Sequence, residues 1–365
     1  MPNKERGTVR RRVANELRRR IADGEYAPGE QLPRRTELLE EFDVSNTTLQ
    51  ATFDRLVEEG FVRTAGKAGT FVEDSPPNLS RYAIVFPFSR DQLRQGQGWL
   101  SVLMSLLPDV EKAGSVKIVP YFEVTEPAGD EWNRLRSDCA AHRLAGVLFA
   151  SSPQGLALQI LFDHPDMPVA TLTEPVRDQV PGITMDGDSY LARAVKLLQE
   201  ADRDRVAVLT GTNDELRQKL RQQLDQTGMT TRDYWFVRIN TSTPETAYDV
   251  AHLLMHEGQS IRPDGLIIAD DTLVEPACAG LIAAGIRRPD QMSVVAHCNF
   301  PETPQVPIPV RFLGYDNVEM LKRAVDVLER QRKGEEVPLR TVVPPRSGKE
   351  IKARKREVRL RVERV

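Results

Sequence analysis

The chain has 365 residues, 50 Lys+Arg against 53 Asp+Glu, a formal charge of −3 and 40% hydrophobic residues. That length exceeds one ordinary domain and supplies enough apolar side chains for a substantial core. Three widely spaced cysteines argue against a disulfide framework or a zinc site, and no apolar run approaches the ~20 residues that span a bilayer. No apolar signal stretch stands at the N-terminus, so a cytoplasmic chain with free Cys139, Cys278 and Cys298 is expected. Charge is unevenly placed: net −1 over 1–80, −8 over 81–345 and +6 over 346–365. At the front, Lys4, Arg6, Arg10, Arg11, Arg12, Arg18, Arg19 and Arg20 face only Glu5 and Glu16, which fits either a polyanion partner or a solvated helix face.

In chain order, Val9, Val13, Leu17 and Ile21 recur every fourth residue and predict a helix over 9–22 with its arginines on the other faces. Asp23-Gly24 and Pro28-Gly29 close it. Pro33 stands where a first-turn proline is tolerated, and Leu38, Leu39 and Phe42 mark a second short helix. A third follows Ser45, a suitable N-cap, and carries Leu49, Phe53, Leu56 and Val57 on one face. Phe61-Val62-Arg63 and Thr70-Phe71-Val72, around a glycine-containing loop, read as a hairpin. The polar, proline-containing 73–80 reads as a linker that keeps the next domain separate.

From Tyr82 onward, apolar runs at 82–86, 116–122, 146–150, 168–172, 206–210, 265–269 and 293–297 alternate with helix-length segments such as 187–201, 214–227, 244–257 and 316–333. Strands without polar alternation, separated by helices, predict parallel sheets covered on both faces. Roughly 250 residues of this pattern predict two lobes with a ligand cleft. The expected fold class is α/β, a small helical and hairpin domain followed by a two-lobed parallel-sheet domain.

The helix start Ser45-Asn46-Thr47-Thr48 carries chemistry beyond a cap. A helix that enters the major groove needs short polar groups at its N-terminal end. Asn46 and Gln50 can pair with adenine's donor and acceptor, while Thr47 and Thr48 suit phosphate oxygens and thymine methyls. Lys67, with Gly66 and Gly69 nearby, can reach the DNA backbone or minor groove. The alternative is a helical domain whose hydroxyls merely cap. The order helix, helix, turn, helix, hairpin argues against it.

Residues 16–72 resemble the GntR family of bacterial winged helix-turn-helix regulators, through Gly24, Pro28, Gly29, Leu32 and Pro33, the "VSNTTL" helix start and the "GTFV" wing end. The resemblance implies DNA contacts from Arg34, Arg35, Thr36, Ser45, Asn46, Thr47, Thr48, Gln50, Gly66 and Lys67. Family members usually carry arginine at Thr36, Asn46 and Gln50, so an unusual operator is expected, with Arg34 and Arg35 standing in for the first. Residues 81–345 are similar to the effector domain of LacI-type repressors, which has the type I periplasmic binding protein fold. The likeness rests on 142–152, 167–172, 205–211 and above all 262–297. The pair resembles the arabinose-repressor architecture. It implies a homodimeric repressor of a double-stranded DNA operator, without cofactor or membrane, whose operator binding is modulated by a small effector of a carbohydrate-related class. Arg217, Asp271 and Asn299 are the implied effector contacts. The family's arginine and aspartate positions hold Leu216 and Cys298, so a simple pentose or hexose is not expected to fit.

Other readings are weaker. The acidic pairs Asp270-Asp271 and Asp186-Gly187-Asp188 lack a nucleophile, phosphate loop or dinucleotide fingerprint and read as helix caps, so an enzyme is not expected. His252 and His256 are spaced for a metal, but no Glu follows His252. In the basic tail, Val358, Leu360 and Val362 alternate with polar residues and predict an edge strand over 346–365, against a less specific nucleic-acid-binding role. A degenerate effector domain that serves only dimerisation is the remaining alternative.

Overall fold

The computed structural model describes residues 2–95, 98–113, 116–211 and 214–353. The first 72 residues form three helices and a hairpin, as the sequence predicts: α1 (Pro2–Ala22), α2 (Arg35–Phe42), α3 (Asn46–Glu58), β1 (Val62–Thr64) and β2 (Thr70–Val72). Val13, Leu17, Leu38, Leu49, Phe53, Leu56 and Val72 bury one apolar core. α2 ends at Asp43, whose left-handed φ of 48° turns the chain toward α3. The antiparallel wing pairs Val62 with Val72 and Thr64 with Thr70. Gly69 is required there, because its φ is +114° and a Cβ would lie 2.5 Å from Gln31 Nε2.

Several expectations change. Val57 is 41% exposed: about 80° round the helix from Leu49, it falls off the edge of the buried stripe. Pro33 lies before the cap of α2 rather than in its first turn. Arg18 does not share the outer face of α1 with its neighbours. It is 1% exposed and bonded to Glu59. The segment 73–80 is not a plain polar spacer, since Pro76 and Pro77 are buried and Pro77–Ser80 makes a helical turn.

Beyond the wing, strands and helices alternate. One six-stranded sheet runs in the order Arg340–Val343, Gly182–Met185, Val169–Thr171, Gly146–Phe149, Arg81–Phe86, Lys117–Phe122. A second runs Arg346–Ser347, Val310–Asp316, Ser293–Phe300, Gly265–Ile268, Val206–Thr210, Phe236–Arg238. All seven expected strands form. Strands at 182–185, 236–238, 310–316 and 340–343 add to them, as do the helices Trp99–Ala113, Asp130–Ala140 and Val274–Ala283. Pairing within the second sheet is parallel except that Arg346–Ser347 runs antiparallel to Leu313 and Gly314. Gly146–Phe149 and Gly265–Ile268 are buried throughout, as strands covered on both faces must be. Of the expected tail strand over 346–365, only Arg346–Ser347 is a strand among the described residues; 348–353 is helical, and Val358, Leu360 and Val362 lie outside the described residues.

The chain divides into two compact units. The first holds the N-terminal 90 residues with 107–183 and 323–340; the second holds 91–106, 184–322 and the chain from Thr341 onward. Among the described residues, no helix is long and apolar enough to cross a membrane.

Candidate DNA-reading face and ligand cavity

The start of α3 presents the residues expected to read DNA. Ser45 caps the helix, its Oγ accepting from the Thr48 amide at 3.3 Å and lying 3.2 Å and 2.9 Å from the Thr47 and Thr48 hydroxyls. Asn46, Thr47 and Gln50 are exposed and Thr48 half-buried. Arg35, from α2, donates to Asn46 Oδ1 at 3.4 Å and to Gln50 Oε1, while its guanidinium lies 5.8 Å from the Phe53 ring centroid. Gln50 Nε2 in turn donates to Asp54 at 2.6 Å. One arginine thus orients both carboxamides, and each carbonyl oxygen keeps a second lone pair. Arg34 and Thr36 are exposed beside it. Arg34 N–H is tied to the Glu37 carboxylate at 2.8 Å, which fixes the start of α2. Gly66 and the exposed Lys67 form a single turn at the wing tip, where Gln31 Nε2 donates to Ala68 O at 2.7 Å.

The far end of α3 is anchored by charge. Glu59 receives Arg18 Nε at 2.8 Å on one oxygen, and Arg55 Nε and Arg143 Nη1 at 3.0 Å each on the other. Arg143 lies beyond the 73–80 segment, after the helix Asp130–Ala140, and also holds Asp138 at 2.7 Å. Asp138 accepts the Tyr121 hydroxyl at 2.5 Å. Burial works to raise the Glu59 carboxyl, but its three guanidinium partners outweigh that and hold it below the usual carboxylate range. The linker therefore does not keep the winged domain apart: a salt-bridge network seats α3 on the sheet domain that follows. Nothing in the sequence pattern marks Arg143, because its partner lies 84 positions away.

In the second unit, the C-terminal ends of the parallel strands gather polar groups, where open parallel sheets place their ligands. Asp271 and Asn299 line one cavity of about 490 Å³, together with Arg94, Ser101, Ser105, Thr272, Glu275, Glu302 and Gln305. Arg217, on the helix Asp214–Gln226, is not among its lining residues. Two of the three expected effector residues thus meet, and the third does not join them. Asp270, rather than Asp271, is the cap here, its Oδ1 accepting from the Thr272 amide at 3.0 Å and hydroxyl at 2.6 Å. Burial raises the Asp271 carboxyl above the usual range, while His297 and Asn299 oppose the rise. His297 is shifted down by burial, with Asp271 opposing. Its ring meets Tyr190 edge-on at 5.4 Å and Tyr315 at 5.9 Å. Tyr315 OH donates to Asp186 O at 2.9 Å, whereas the buried Tyr190 hydroxyl and Thr210 Oγ1 have no partner. His297, Tyr190 and Tyr315 were not singled out in the sequence, and none of them is among the cavity's lining residues. The period-two spacing of His297 and Asn299 on one strand was the available signal.

The remaining candidates resolve into structure. Asp186 caps its helix through Ser189, and Asp188 pairs with Lys219 at 3.1 Å. His256 Nδ1 accepts the Gly258 amide, and no cluster of three or more metal-ligating side chains occurs among the described residues. The three cysteines are free and buried, and burial pushes each thiol up to about 12. Cys298, in the family's aspartate position, points its thiol at Glu302 O, 2.9 Å away.

Comparison with known proteins follows the same division. The family profile for bacterial regulatory proteins of the gntR family matches residues 9–72, and that for a periplasmic binding protein-like domain matches 183–348. The mannosyl-D-glycerate transport/metabolism system repressor MngR of Escherichia coli K12 is 35% identical over 74 residues, 20% of this chain. The chain spans only about a third (31%) of that relative's length. Among solved structures, a LacI-family regulatory protein from Chloroflexus aggregans superposes with a TM-score of 0.59 at 14% identity, over 73% of this chain and 96% of its own. The transcriptional regulator CelR in complex with cellobiose gives 0.56 at 18%, over 83% and 90%. A LacI-family regulator from Arthrobacter sp. FB24 in complex with lactose gives 0.56 at 16%, over 73% and 97%. The chain therefore joins residues 9–72, which match the gntR family of bacterial regulatory proteins, to residues 183–348, which match a periplasmic binding protein-like domain.

Proposed function

We propose that this chain is a cytoplasmic, dimeric repressor that reads its operator with α3 and leaves it when a small molecule enters the cavity at Asp271 and Asn299. The observation that carries the reading is the Arg35-ordered pair Asn46 and Gln50 at the exposed start of α3. Carboxamides held in this way are suited to adenine edges, Ser45, Thr47 and Thr48 to phosphates, and Arg34, Thr36, Gly66 and Lys67 to the flanking backbone. On this reading residues 1–72 are the DNA reader, 73–80 the connection, 81–345 the effector and dimerisation domain, and 346–365 an appendage. A small winged domain contacts few bases, so two half-sites and hence two copies are needed for useful specificity. The complexes of two structural relatives with cellobiose and lactose support an effector of carbohydrate-related chemistry.

The test is selection of bound fragments from random genomic DNA, followed by titration of the selected site in rising salt. Binding at nanomolar protein to one sequence class, two-fold symmetric, is the expected result. Lys67→Ala should reduce the slope of log K against log salt by about one. Equal binding to all fragments would leave only a nonspecific nucleic-acid binder.

A further inference from the structure

We infer that the ligand of the second unit's cavity carries a positive charge: a small polyhydroxylated molecule with a protonated amine, of the amino-sugar class, held by Asp271, Glu275 and Glu302. The inference rests on the reading of that cavity as the effector site and adds the ligand's charge.

The first ground is the count of donors and acceptors. Asp271, Glu275 and Glu302 all line the cavity, and among its described lining residues Arg94 is the one cation. Carboxylates accept and do not donate. Glu302 takes one donor, the Ser105 hydroxyl at 2.8 Å, and keeps its remaining lone pairs for the cavity. The second ground is independent of these acids. Asn299 is 3% exposed and lines the cavity, and its Oδ1 has no hydrogen-bond partner within the protein. A buried acceptor left in that state costs free energy that a ligand's N–H or O–H would recover.

An ammonium group answers both conditions better than a hydroxyl does. It brings three donors, no lone pair and a charge opposite to the rim. Asp271, deprived of water, gains most from a cation beside it. An anionic ligand could use Arg94 but would have to face three carboxylates. A neutral sugar gets no ring to stack on, because the described lining residues include no aromatic side chain.

Thermal unfolding of the full chain at pH 7 and low salt tests this with six probes at one millimolar-range concentration: glucosamine and galactosamine, glucose and galactose, glucuronate and galacturonate. An amino sugar should raise Tm by the amount its affinity dictates, with the neutral parent weaker and the uronate silent. Glu302→Gln and Glu275→Gln, both at exposed positions, should leave the Tm of the free protein unchanged and weaken the amine roughly 10-fold each. Equal or greater stabilisation by a neutral or acidic sugar overturns the charge inference and leaves the effector site standing. Silence from all six overturns both.

Discussion

The two ends of this chain treat buried polar groups in opposite ways. At the end of α3, Arg18, Arg55 and Arg143 converge on Glu59, and Arg143 continues to Asp138 and Tyr121, so each charge withdrawn from water has a partner. At the strand ends of the second unit, Tyr190 OH, Thr210 Oγ1, Asn299 Oδ1 and both side-chain polar atoms of Asn317 have none. Among the described residues of the winged domain, no side chain is left in that condition. A satisfied network rigidifies and positions, whereas an unsatisfied one costs free energy until a partner arrives. On the proposed reading, the first region sets geometry and the second awaits a ligand.

The largest expected effect breaks the satisfied side. Glu59→Ala leaves Arg18 buried and unpaired, and loss of one partner of a buried ion pair costs about 3–5 kcal/mol. Chemical denaturation of the full chain should register that cost. A loss below about 1 kcal/mol would mean water already reaches Arg18, and the contrast would collapse.

Next comes the reading face, which should carry specificity without carrying stability. Asn46→Ala and Gln50→Ala are each expected to weaken operator binding by about 1–3 kcal/mol and relax base preference, with little change in Tm. Unchanged affinity and unchanged selected sequence for Asn46→Ala would move the reader elsewhere.

Arg143→Ala separates positioning from folding. It removes one of three cations from Glu59 and the 2.7 Å partner of the buried Asp138, so it should cost about 1–3 kcal/mol of stability while freeing the winged domain from the sheet behind it. The expected signature is faster proteolysis within 73–80, together with a weakened response of DNA binding to effector. Protection identical to the parent chain would show that the buried prolines alone seat the domain.

The smallest effect concerns pH. Burial lowers His142 below its usual value, so the folded chain binds fewer protons than the unfolded chain as pH falls from about 6.5 through the folded pKa. Its contribution to stability is therefore present above pH ~6.5 and is lost on acidification. His142→Asn, which tolerates the φ of +53° found there, should flatten the slope of Tm between pH 7 and pH 5. A slope that persists in full would assign it to His297, which burial shifts in the same direction.

What could be read from the residues was whatever depends on near neighbours in the chain. The fourfold recurrence of Val13, Leu17 and Ile21, the Ser45 cap and the unbroken apolar strands fix elements through local propensity and periodicity, so α1 to α3, the wing and seven strands were legible. Asp271 and Asn299 entered as candidates through the resemblance to LacI-type effector domains, and both line one cavity. Tertiary structure decided what depends on distant partners. Arg18 is buried only because Glu59 arrives 41 positions later, and Arg143 docks the winged domain from 84 positions beyond Glu59. Arg217 stands outside the cavity lined by Asp271 and Asn299, as does every described residue of its helix, and spacing along the chain does not reveal that. Ion pairs, burial and cavity lining depend on spatial proximity, which periodicity along the chain does not encode.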